Sequence, residues 1–476
     1  MPQDMDIQTK LGSIALGGSL TAAQAREIFR LGEEAVVFAL LQQAQLLAGQ
    51  SQRGDLPSRP SGMTPAYEKP TIKSRRQRPG RKEGHAGTRR PPPVRIDQCA
   101  THRLARCPEC QGRLKRCQQT RTRIIEDIPT GIEPVVTEHT IHRDWCPRCK
   151  KRVEPVVPDA LPGSTLGLRV LTLSAWLHYG LGTTLSQIVE VFNFHLQLKL
   201  TPGALLQQWY RLHAILFAWY EQIQAEALRS AVLHADETGW RVAGKTVWLW
   251  CFATNDAVYV MIERARGSPA LKKFFIEEFA GTLVSDFWGA YNKVACARRQ
   301  MCLAHLLRDF LAVEQYQRPG DEWPAFAMKI RRLIHDAIRL GRRDDLTSDE
   351  FASRRARLDA RLQALLTTPW QDMQAKRLIK RLRRHQSHLF TFLDQPDVPF
   401  DNNHAERAIR PAVIIRKNSY CNRSQQGADT QAVLMSVYRT LKLRGHDPIR
   451  TVIQTVREYL MTGKLPSLPP KITANG

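Results

Sequence analysis

Residues 231–291 constrain the fold more than any other stretch, because short apolar runs there lead directly to acidic residues. The first run predicts a short buried strand that ends at Asp236, followed by a turn at residues 238–239. Two runs rich in β-branched and aromatic side chains follow at 246–253 and 257–263, and the polar residues between them predict a hairpin. Three adjacent strands are therefore expected, and the first carries an aspartate at its end.

A helix and a fourth strand complete this stretch. Ser268 as N-cap and Pro269 at the first helical position predict a helix that runs to Phe279. The next apolar run, 282–284, leads directly to Asp286. The order of strand, strand, strand, helix and strand predicts a mixed sheet, with aspartates at the ends of its first and fourth strands. A fifth strand is expected at residues 300–303.

A third acid is needed if the two aspartates bind metal ions. Hard divalent cations such as Mg²⁺ prefer oxygen ligands, and a two-metal site for phosphoryl transfer uses several carboxylates. Glu406 is the best candidate, because it lies in the first turn of a helix that starts at Asn402 or Asn403. Two alternatives remain open: Glu406 closes a capping box with Asn403, or Asp236 and Asp286 are solvated acids at strand ends.

Several blocks of the sequence together resemble a known family. They look like the signature blocks of the DDE transposases of the insertion-sequence-66 type, and the resemblance extends from about residue 79 to residue 469. The matching blocks are residues 234–239, 284–291, 302–305 and 402–411.

The resemblance implies a fold, a metal-binding triad and an activity. It implies an RNase H-like catalytic core in which Asp236, Asp286 and Glu406 bind Mg²⁺ or Mn²⁺. The long interval between Asp286 and Glu406 matches the helical insertion of that family. The implied activity is cleavage and strand transfer of transposon DNA ends, while a DNA nuclease or resolvase without strand transfer, or a domesticated DNA-binding protein without activity, are the alternatives.

The composition indicates a polyanionic partner. The 476 residues include 70 Lys and Arg against 45 Asp and Glu, a formal net charge of +25 with a pI of about 10.0. Such an excess is typical of proteins that bind nucleic acid, so double-stranded DNA is the expected partner. No basic leader and no run of 18 apolar residues occur, which predicts no membrane contact and a cytoplasmic, nucleoid-associated location.

Two Cys-Pro-x-Cys pairs predict a zinc site. Cys107 with Cys110, and Cys146 with Cys149, supply the four thiolates of a tetrahedral Zn²⁺ shell. In a reducing compartment this spacing indicates metal binding and not disulfides. Runs at 123–128 and 135–142 are expected to form a β-hairpin between the pairs, which makes a zinc ribbon. Contact of this ribbon with DNA remains open. Further thiols and imidazoles nearby are alternative ligands, namely Cys99, Cys117, His102, His139 and His142.

Basic residues outside the acidic triad form a second group of candidates. Four lie on a predicted helix that is expected to face DNA: Arg377, Lys380, Arg381 and Arg384. Arg407 and Arg410 lie one and four positions after Glu406, so at least one of them is expected to flank the cleft. Cys302 and His305 stand at the end of the fifth strand and are expected near the site without an assigned role.

The expected fold class is multidomain α+β. The region 160–228 fits a helix-turn-helix layout, or an ordinary helical hairpin that packs against the sheet. Homo-oligomers on DNA and small accessory proteins are further expected partners. The expected segments are an N-terminal helix (1–48), a basic flexible linker (49–96), the zinc ribbon (97–155), this helical region (160–228), the first part of the core (229–305), an all-α insertion (306–398), the second part of the core (399–463) and a disordered tail (464–476).

Overall fold

The computed structural model describes residues 132–316 and 319–472, together with a few earlier positions. Four described residues of the predicted N-terminal helix are helical: Arg26, Phe29, Arg30 and Val36. The rest of that helix and most of the basic linker lie outside the described residues, as do Cys107 and Cys117. The other described positions are residues 95, 96, 99, 106, 108–113, 124 and 125.

The chain forms two compact units. One contains residues 1–64 and 135–476, and the other contains residues 65–134. The elements described below belong to the first unit. Among the described residues, no helix is long and apolar enough to cross a membrane.

A small hairpin surrounds the second cysteine pair. Strand β1 (Asp144–Cys146) pairs antiparallel with β2 (Lys151–Val153), and the turn between them carries Cys149. The strand predicted at 135–142 was wrong: those residues have no regular structure, and Val135 and Val136 are about nine-tenths exposed. An apolar run forms a strand only where a partner pairs with it or covers it, and none of the described residues does so here.

A five-stranded mixed sheet forms the centre of the structure. Its spatial order is β5-β4-β3-β6-β7. The first three strands pair antiparallel, whereas β3–β6 and β6–β7 pair parallel. The strands are β3 (Val232–Val242), β4 (Lys245–Ala253), β5 (Val258–Glu263), β6 (Phe279–Ser285) and β7 (Cys296–Met301).

Several boundaries differ from the sequence-based expectation. Strand β3 does not turn at residues 238–239 but continues to Val242, because Trp240 is buried and pairs with β4. The turn follows at Ala243 and Gly244, which both have positive φ, as tight hairpin turns require. Helix α4 (Ser268–Phe274) has Gly267, not Ser268, at its N-cap. It ends before Phe279, which begins β6.

Three helices precede the sheet and one of them packs along it. They are α1 (Leu168–Ala175), which continues into a π-helical turn, α2 (Leu185–His195) and α3 (Pro202–Leu228). Helix α3 buries one stripe along its length, from Leu205 through Trp219 to Ala227. This packing matches the helical-hairpin alternative. DNA reading by the α2–α3 pair stays a prediction.

An all-α insertion with its own apolar core separates β7 from the last three helices. Val284 and Met301 connect this second core to the end of the sheet. The insertion contains α5 (Leu303–Tyr316), α6 (Trp323–Leu340), α7 (Ser348–Thr367), α8 (Met373–His385) and the short α9 (Thr391–Asp394).

The last three helices cover the sheet. They are α10 (Asn403–Ser419), α11 (Gln425–Leu443) and α12 (Pro448–Thr462). Helix α11 protects the outer strand β5, because Ser436 and Thr440 accept hydrogen bonds from the backbone N–H groups of Val260 and Val258, at 2.9 and 3.0 Å. An edge strand covered in this way offers fewer free backbone groups to another chain.

Two further expectations were wrong. Pro411 does not end the helix early, since α10 continues to Ser419. Proline removes the N–H that would bond the Arg407 carbonyl, and the Arg439 guanidinium donates to that carbonyl instead, at 3.3 Å. The residues after 464 are not a loose tail as far as the structure describes them: Trp219 donates to the Pro466 carbonyl at 2.7 Å, and Leu468 is buried.

Gly281 lies where β6 closely approaches the residues just before β3, and a substitution there tests how much that close approach matters. A Cβ at this position would lie 2.5 Å from the Ser230 carbonyl oxygen and 2.7 Å from that of Ala231. Both obstacles are backbone atoms, so Gly281→Ala is expected to lower the free energy of unfolding by about 1–3 kcal/mol, the usual cost of overpacking. Denaturant unfolding measures this value.

Gly203→Ala is the matched control, because a Cβ there meets no atom within 4 Å. It is expected to leave the free energy of unfolding unchanged or slightly raised. Equal stability of the two variants would show that β6 can shift without cost.

Candidate active site

The parallel pairing of β3 and β6 places the two candidate aspartates side by side. Registered pairs run from Val232 with Thr282 to His234 with Val284. Continued by two residues, the same register sets Asp236 beside Asp286, which is the first residue after β6. Residues in register on neighbouring strands project from the same face of a sheet. The structure therefore brings these two carboxylates together.

Burial and mutual repulsion disfavour the charged form of both aspartates. Burial raises the pKa of Asp236, and the charges of Glu237 and Asp286 raise it further. Burial also raises the pKa of Asp286 to about 6, with Glu237 as the next cause. One backbone hydrogen bond fixes each carboxylate: the N–H of Glu237 donates to Asp236 at 2.9 Å, and the N–H of Trp288 donates to Asp286 at 2.8 Å. Acids crowded in this way are well suited to bind a cation.

Glu406 lies in the first turn of α10 and faces two basic residues of α5. Its Oε1 accepts from Arg308 at 2.5 Å and lies 3.7 Å from Nε2 of His305. The capping-box alternative is not seen, because Asn402, not Asn403, is the N-cap and makes no side-chain capping bond. The charge of Glu406 also contributes to the raised pKa of Asp236. All three candidate acids therefore belong to one region.

Asn402 connects the start of α10 to the centre of the sheet. This fully buried side chain donates to the Ala235 carbonyl at 2.8 Å, and its Oδ1 lies 3.0 Å from Nδ1 of His234. Ala235 and His234 directly precede Asp236, so the contact sets the position of the glutamate helix relative to the first aspartate. Sequence reasoning treated Asn402 only as a helix start, and the signal for a larger role was its place just before the helix of the third acid.

Cys302 and His305 lie at the same edge of the sheet. The Cys302 sulfur accepts the backbone N–H of Asn402 at 3.1 Å, and burial raises the pKa of this thiol to about 11. Cys302 is therefore a neutral acceptor that fixes the chain. Nδ1 of His305 is buried without a hydrogen-bond partner among the described residues. Sequence reasoning missed Arg308, although it stands one helical turn after His305 and shares its face.

Asp236 and Asp286 have the chemistry that a hard divalent cation requires, because both supply carboxylate oxygens at one position of the sheet edge. Glu406 lies close to them but is turned toward Arg308 and His305. Within the described part of the chain, no three His, Cys, Asp or Glu side chains are gathered tightly enough to surround one ion. The chemistry of these oxygen donors fits Mg²⁺ or Mn²⁺. The two aspartates lie side by side, and the Arg308 guanidinium holds Glu406.

Glu237 and Arg266 form a buried ion pair behind the aspartates. The Arg266 guanidinium donates to Glu237 at 3.1 Å and is sandwiched between two indoles, 4.4 Å from the ring centroid of Trp248 and 4.0 Å from that of Trp288. The other oxygen of Glu237 accepts the Tyr291 hydroxyl at 2.6 Å. The loop after Asp286 is thereby fixed to β3.

Helix α8 lies beside the loop that contains Asp286. The Arg381 guanidinium stacks on Phe287, 4.6 Å from its ring centroid, and pairs with Asp309 at 2.5 Å. Arg381 is thus partly engaged within the protein. The other three candidate DNA-binding residues of this helix are exposed, and so are both candidates that follow Glu406: Arg377, Lys380, Arg384, Arg407 and Arg410.

The residues that follow Cys110 and Cys149 have the same backbone conformation. Both are left-handed, with φ of 58° at Gln111 and 50° at Lys150. The N–H of Cys149 donates to the Cys146 sulfur at 3.4 Å, and this bond lowers the pKa of the Cys146 thiol. A thiolate favoured in this way is the form that binds zinc. Cys110 is a free thiol in the other compact unit.

Comparison with known proteins agrees with both regions. The family model described as "Transposase IS66 family" matches residues 163–430, and the one described as "zinc-finger binding domain of transposase IS66" matches residues 105–150. The fold and these matches define a transposase-class protein with a zinc-finger element. Since the first match covers more than half of the chain, the chain belongs to the transposase IS66 family.

Relatives of similar sequence occur in Sinorhizobium fredii (strain NBRC 101917 / NGR234). The uncharacterized protein y4hP is 23% identical over 76% of this chain and 72% of its own length, and y4jD is 25% identical over 72% of each. The uncharacterized protein y4qI is 27% identical over 45% of this chain, which spans only 44% of that protein.

The Glu237–Arg266 pair gives a prediction about stability. Removing one charge of a buried pair leaves the other without compensation, so Glu237→Gln is expected to lower the free energy of unfolding by about 3 kcal/mol. Denaturant unfolding measures the loss. The control is Glu263→Gln, which breaks the exposed pair with Lys273 and is expected to cost less than about 1 kcal/mol. Equal losses would contradict the supporting role of Glu237.

The cysteine pairs give a prediction about metal content. Protein purified without chelator is expected to contain about one zinc per chain, measured by elemental analysis. Cys146→Ser is expected to lose that zinc, because a structural site needs its four ligands. Cys296→Ser is the control: this thiol lies on β7 and belongs to neither pair, so zinc content is expected to be unchanged. Absence of zinc in the unmodified protein would overturn the assignment.

Proposed function

We propose that this protein binds the ends of a transposon and catalyses DNA cleavage and strand transfer by metal-dependent phosphoryl transfer. The observation that carries the proposal is the register of β3 and β6, which sets Asp236 beside Asp286. Glu406 lies at the same edge. Membership of the transposase IS66 family supports the same activity.

The topology supports an RNase H-like catalytic core. Three antiparallel strands are followed, across a helix, by two parallel strands on the other side of β3. The first aspartate then lies on the central strand and the second on its neighbour. This arrangement is the one that the resemblance to DDE transposases implies.

Asp236, Asp286 and Glu406 would hold Mg²⁺ or Mn²⁺. A bound divalent cation stabilises charge on the reacting phosphate and activates water or a 3′-hydroxyl. The protein's own part is to keep two carboxylates in register, through β3 and β6, and to fix the third through Asn402. Burial of the aspartates excludes water from part of their surroundings and strengthens their attraction for cations.

The DNA partner is supported by the charge and by the position of α8. The net charge of +25 favours a polyanion. Arg377, Lys380 and Arg384 are exposed on a helix whose Arg381 touches the residue after Asp286. We propose that these cations, with Arg407 and Arg410, contact phosphates beside the cleavage position, and that the protein acts as a homo-oligomer on DNA, with small accessory proteins as further partners.

Single substitutions of the three acids test the proposed activity. Asp236→Asn, Asp286→Asn and Glu406→Gln are each expected to slow cleavage by about a thousandfold or more, because each removes a metal ligand without a replacement. Binding to DNA is expected to persist, since the substitutions keep the side-chain shape and remove negative charge. The assay measures release of a 3′-hydroxyl from a labelled transposon end, and joining to a target, with Mg²⁺ or Mn²⁺.

Glu458→Gln is the control, because this glutamate is exposed on α12. It is expected to keep the full rate. Full activity of Glu406→Gln would remove that residue from the site. Cleavage without joining by the unmodified protein would identify the nuclease alternative.

A further inference from the structure

Helices α6 and α7 enclose a cleft whose charged lining is almost entirely cationic. Its volume is about 300 Å³, and its floor is formed by Leu340 and Leu358. Asp336 is the one acid among its lining residues. The cationic members of the lining are Arg339, Arg343, Arg354, Arg357 and Arg361.

Two of these arginines form no ion pair or hydrogen bond with any residue that the structure describes. Arg354 and Arg357 are exposed and lie three residues apart on α7, so they share one face of the helix. The other cations of the cleft are paired: Arg361 with Asp336 at 2.8 Å, and Arg343 with Asp345 at 2.5 Å. The cleft therefore retains a local excess of positive charge.

A helix face that is simply exposed to solvent explains this excess of positive charge less well than a binding site for an anion does. Exposed helices commonly balance their charges by pairs three or four residues apart, and the neighbouring Arg355 does so with Asp359, at 3.1 Å. On the face of Arg354 and Arg357, the acid four residues before Arg354 is Glu350, which is engaged in the capping box with Thr347. Arg357 has no acid three or four residues away on the helix. Repulsion among uncompensated cations costs some stability, which an anionic ligand would offset.

The cationic lining continues along the same pair of helices. A second groove of about 450 Å³ lies next to the cleft and shares Asp336 and Arg361 with it, adding Lys329 and Arg332. From Arg354 to Thr368 the two grooves follow α7 for about 21 Å, at 1.5 Å per residue. That length corresponds to about six base pairs of duplex DNA at 3.4 Å each.

The turn that contributes Arg343 to the cleft contacts the segment before the helix of Glu406. The Arg342 guanidinium, beside Arg343, stacks 5.7 Å from the ring centroid of Phe400. The Phe400 carbonyl accepts the N–H of Leu303 at 2.9 Å, and Asn402 follows two residues later. The turn after α6 is thus in contact with the segment that leads into the helix of Glu406.

We propose that this cleft, with the groove beside it, binds the phosphate backbone of double-stranded DNA next to the segment under reaction. The inference rests on the proposed function. The cleft would be a second DNA-binding surface, in addition to the one proposed on α8. Arginine suits this ligand, because its planar fork matches the oxygens of a phosphate. The extended row of cations fits a regular polyanion better than a single small anion.

The test measures binding of a 30-base-pair duplex of random sequence by fluorescence anisotropy over a range of salt concentrations, without added divalent cation. The double variant Arg354→Gln, Arg357→Gln removes two phosphate contacts. The slope of log affinity against log salt is expected to become shallower by about 1.8, and affinity at 0.1 M salt to fall roughly 50-fold. The variant Arg354→Lys, Arg357→Lys keeps both charges and is expected to retain most of the slope.

The matched control is Arg450→Gln with Lys464→Gln, two exposed cations on and after α12. It is expected to bind as the unmodified protein does. Thermal unfolding of every variant shows whether the fold is kept. If the double glutamine variant unfolds, the single variants Arg354→Gln and Arg357→Gln decide the question, because each is expected to make the slope shallower by about 0.9. Retention of the full slope by the glutamine variant would overturn the cleft proposal alone.

Two further outcomes complete the design. Failure of the unmodified protein to bind DNA at any salt concentration would overturn the proposed function and, with it, the cleft. Polyglutamate is the probe for an acidic protein partner. Loss of polyglutamate binding in the glutamine variant, with DNA binding intact, would overturn the DNA assignment in favour of such a partner.

Discussion

The parallel register between β3 and β6 is the constraint on which the candidate site depends. It is maintained by pairs from Val232 with Thr282 to His234 with Val284, and Gly281 allows the close approach at their start. Because side chains alternate along a strand, a slip of one residue would turn Asp236 and Asp286 to opposite faces. The relative position of Asp236 and Asp286 is therefore set by the backbone pairing of β3 and β6.

A long insertion separates Asp286 from Glu406 in the sequence. Hydrogen bonds at the two ends of the insertion explain how both acids nevertheless stay at the same edge of the sheet. The first helical residue of the insertion, Leu303, donates to the Phe400 carbonyl, and Asn402 donates to the Cys302 sulfur. The chain thus leaves and rejoins the sheet at one position. Since the insertion has its own apolar core, it behaves as an added body on a core that is continuous without it.

The sequence predicted those features that depend on local pattern, and missed those that depend on distant partners. Four of the strands, both aspartates and the glutamate helix follow from apolar runs and the residues that end them. The fifth strand was expected at residues 300–303, but it lies at Cys296–Met301, and Leu303 already begins α5. The length of β3 could not be predicted from the local sequence, because the pairing of Trp240 with β4 overrides the turn tendency of Gly239. The strand predicted at 135–142 was wrong for the opposite reason, since no residue that the structure describes covers it. Arg308 and Asn402 act across about a hundred residues or more, beyond any local signal.

The charges of the two aspartates do not stabilise the folded protein. The pKa of Asp286 is raised to about 6 from an ordinary value of 3.8. A carboxyl whose pKa is higher in the folded state destabilises that state when it ionises, so at neutral pH Asp286 weakens the fold. Glu406 has a cationic partner in Arg308, whereas the aspartates have none that balances them both. A divalent cation bound between the aspartates would relieve this repulsion, as the proposed metal-dependent phosphoryl transfer requires.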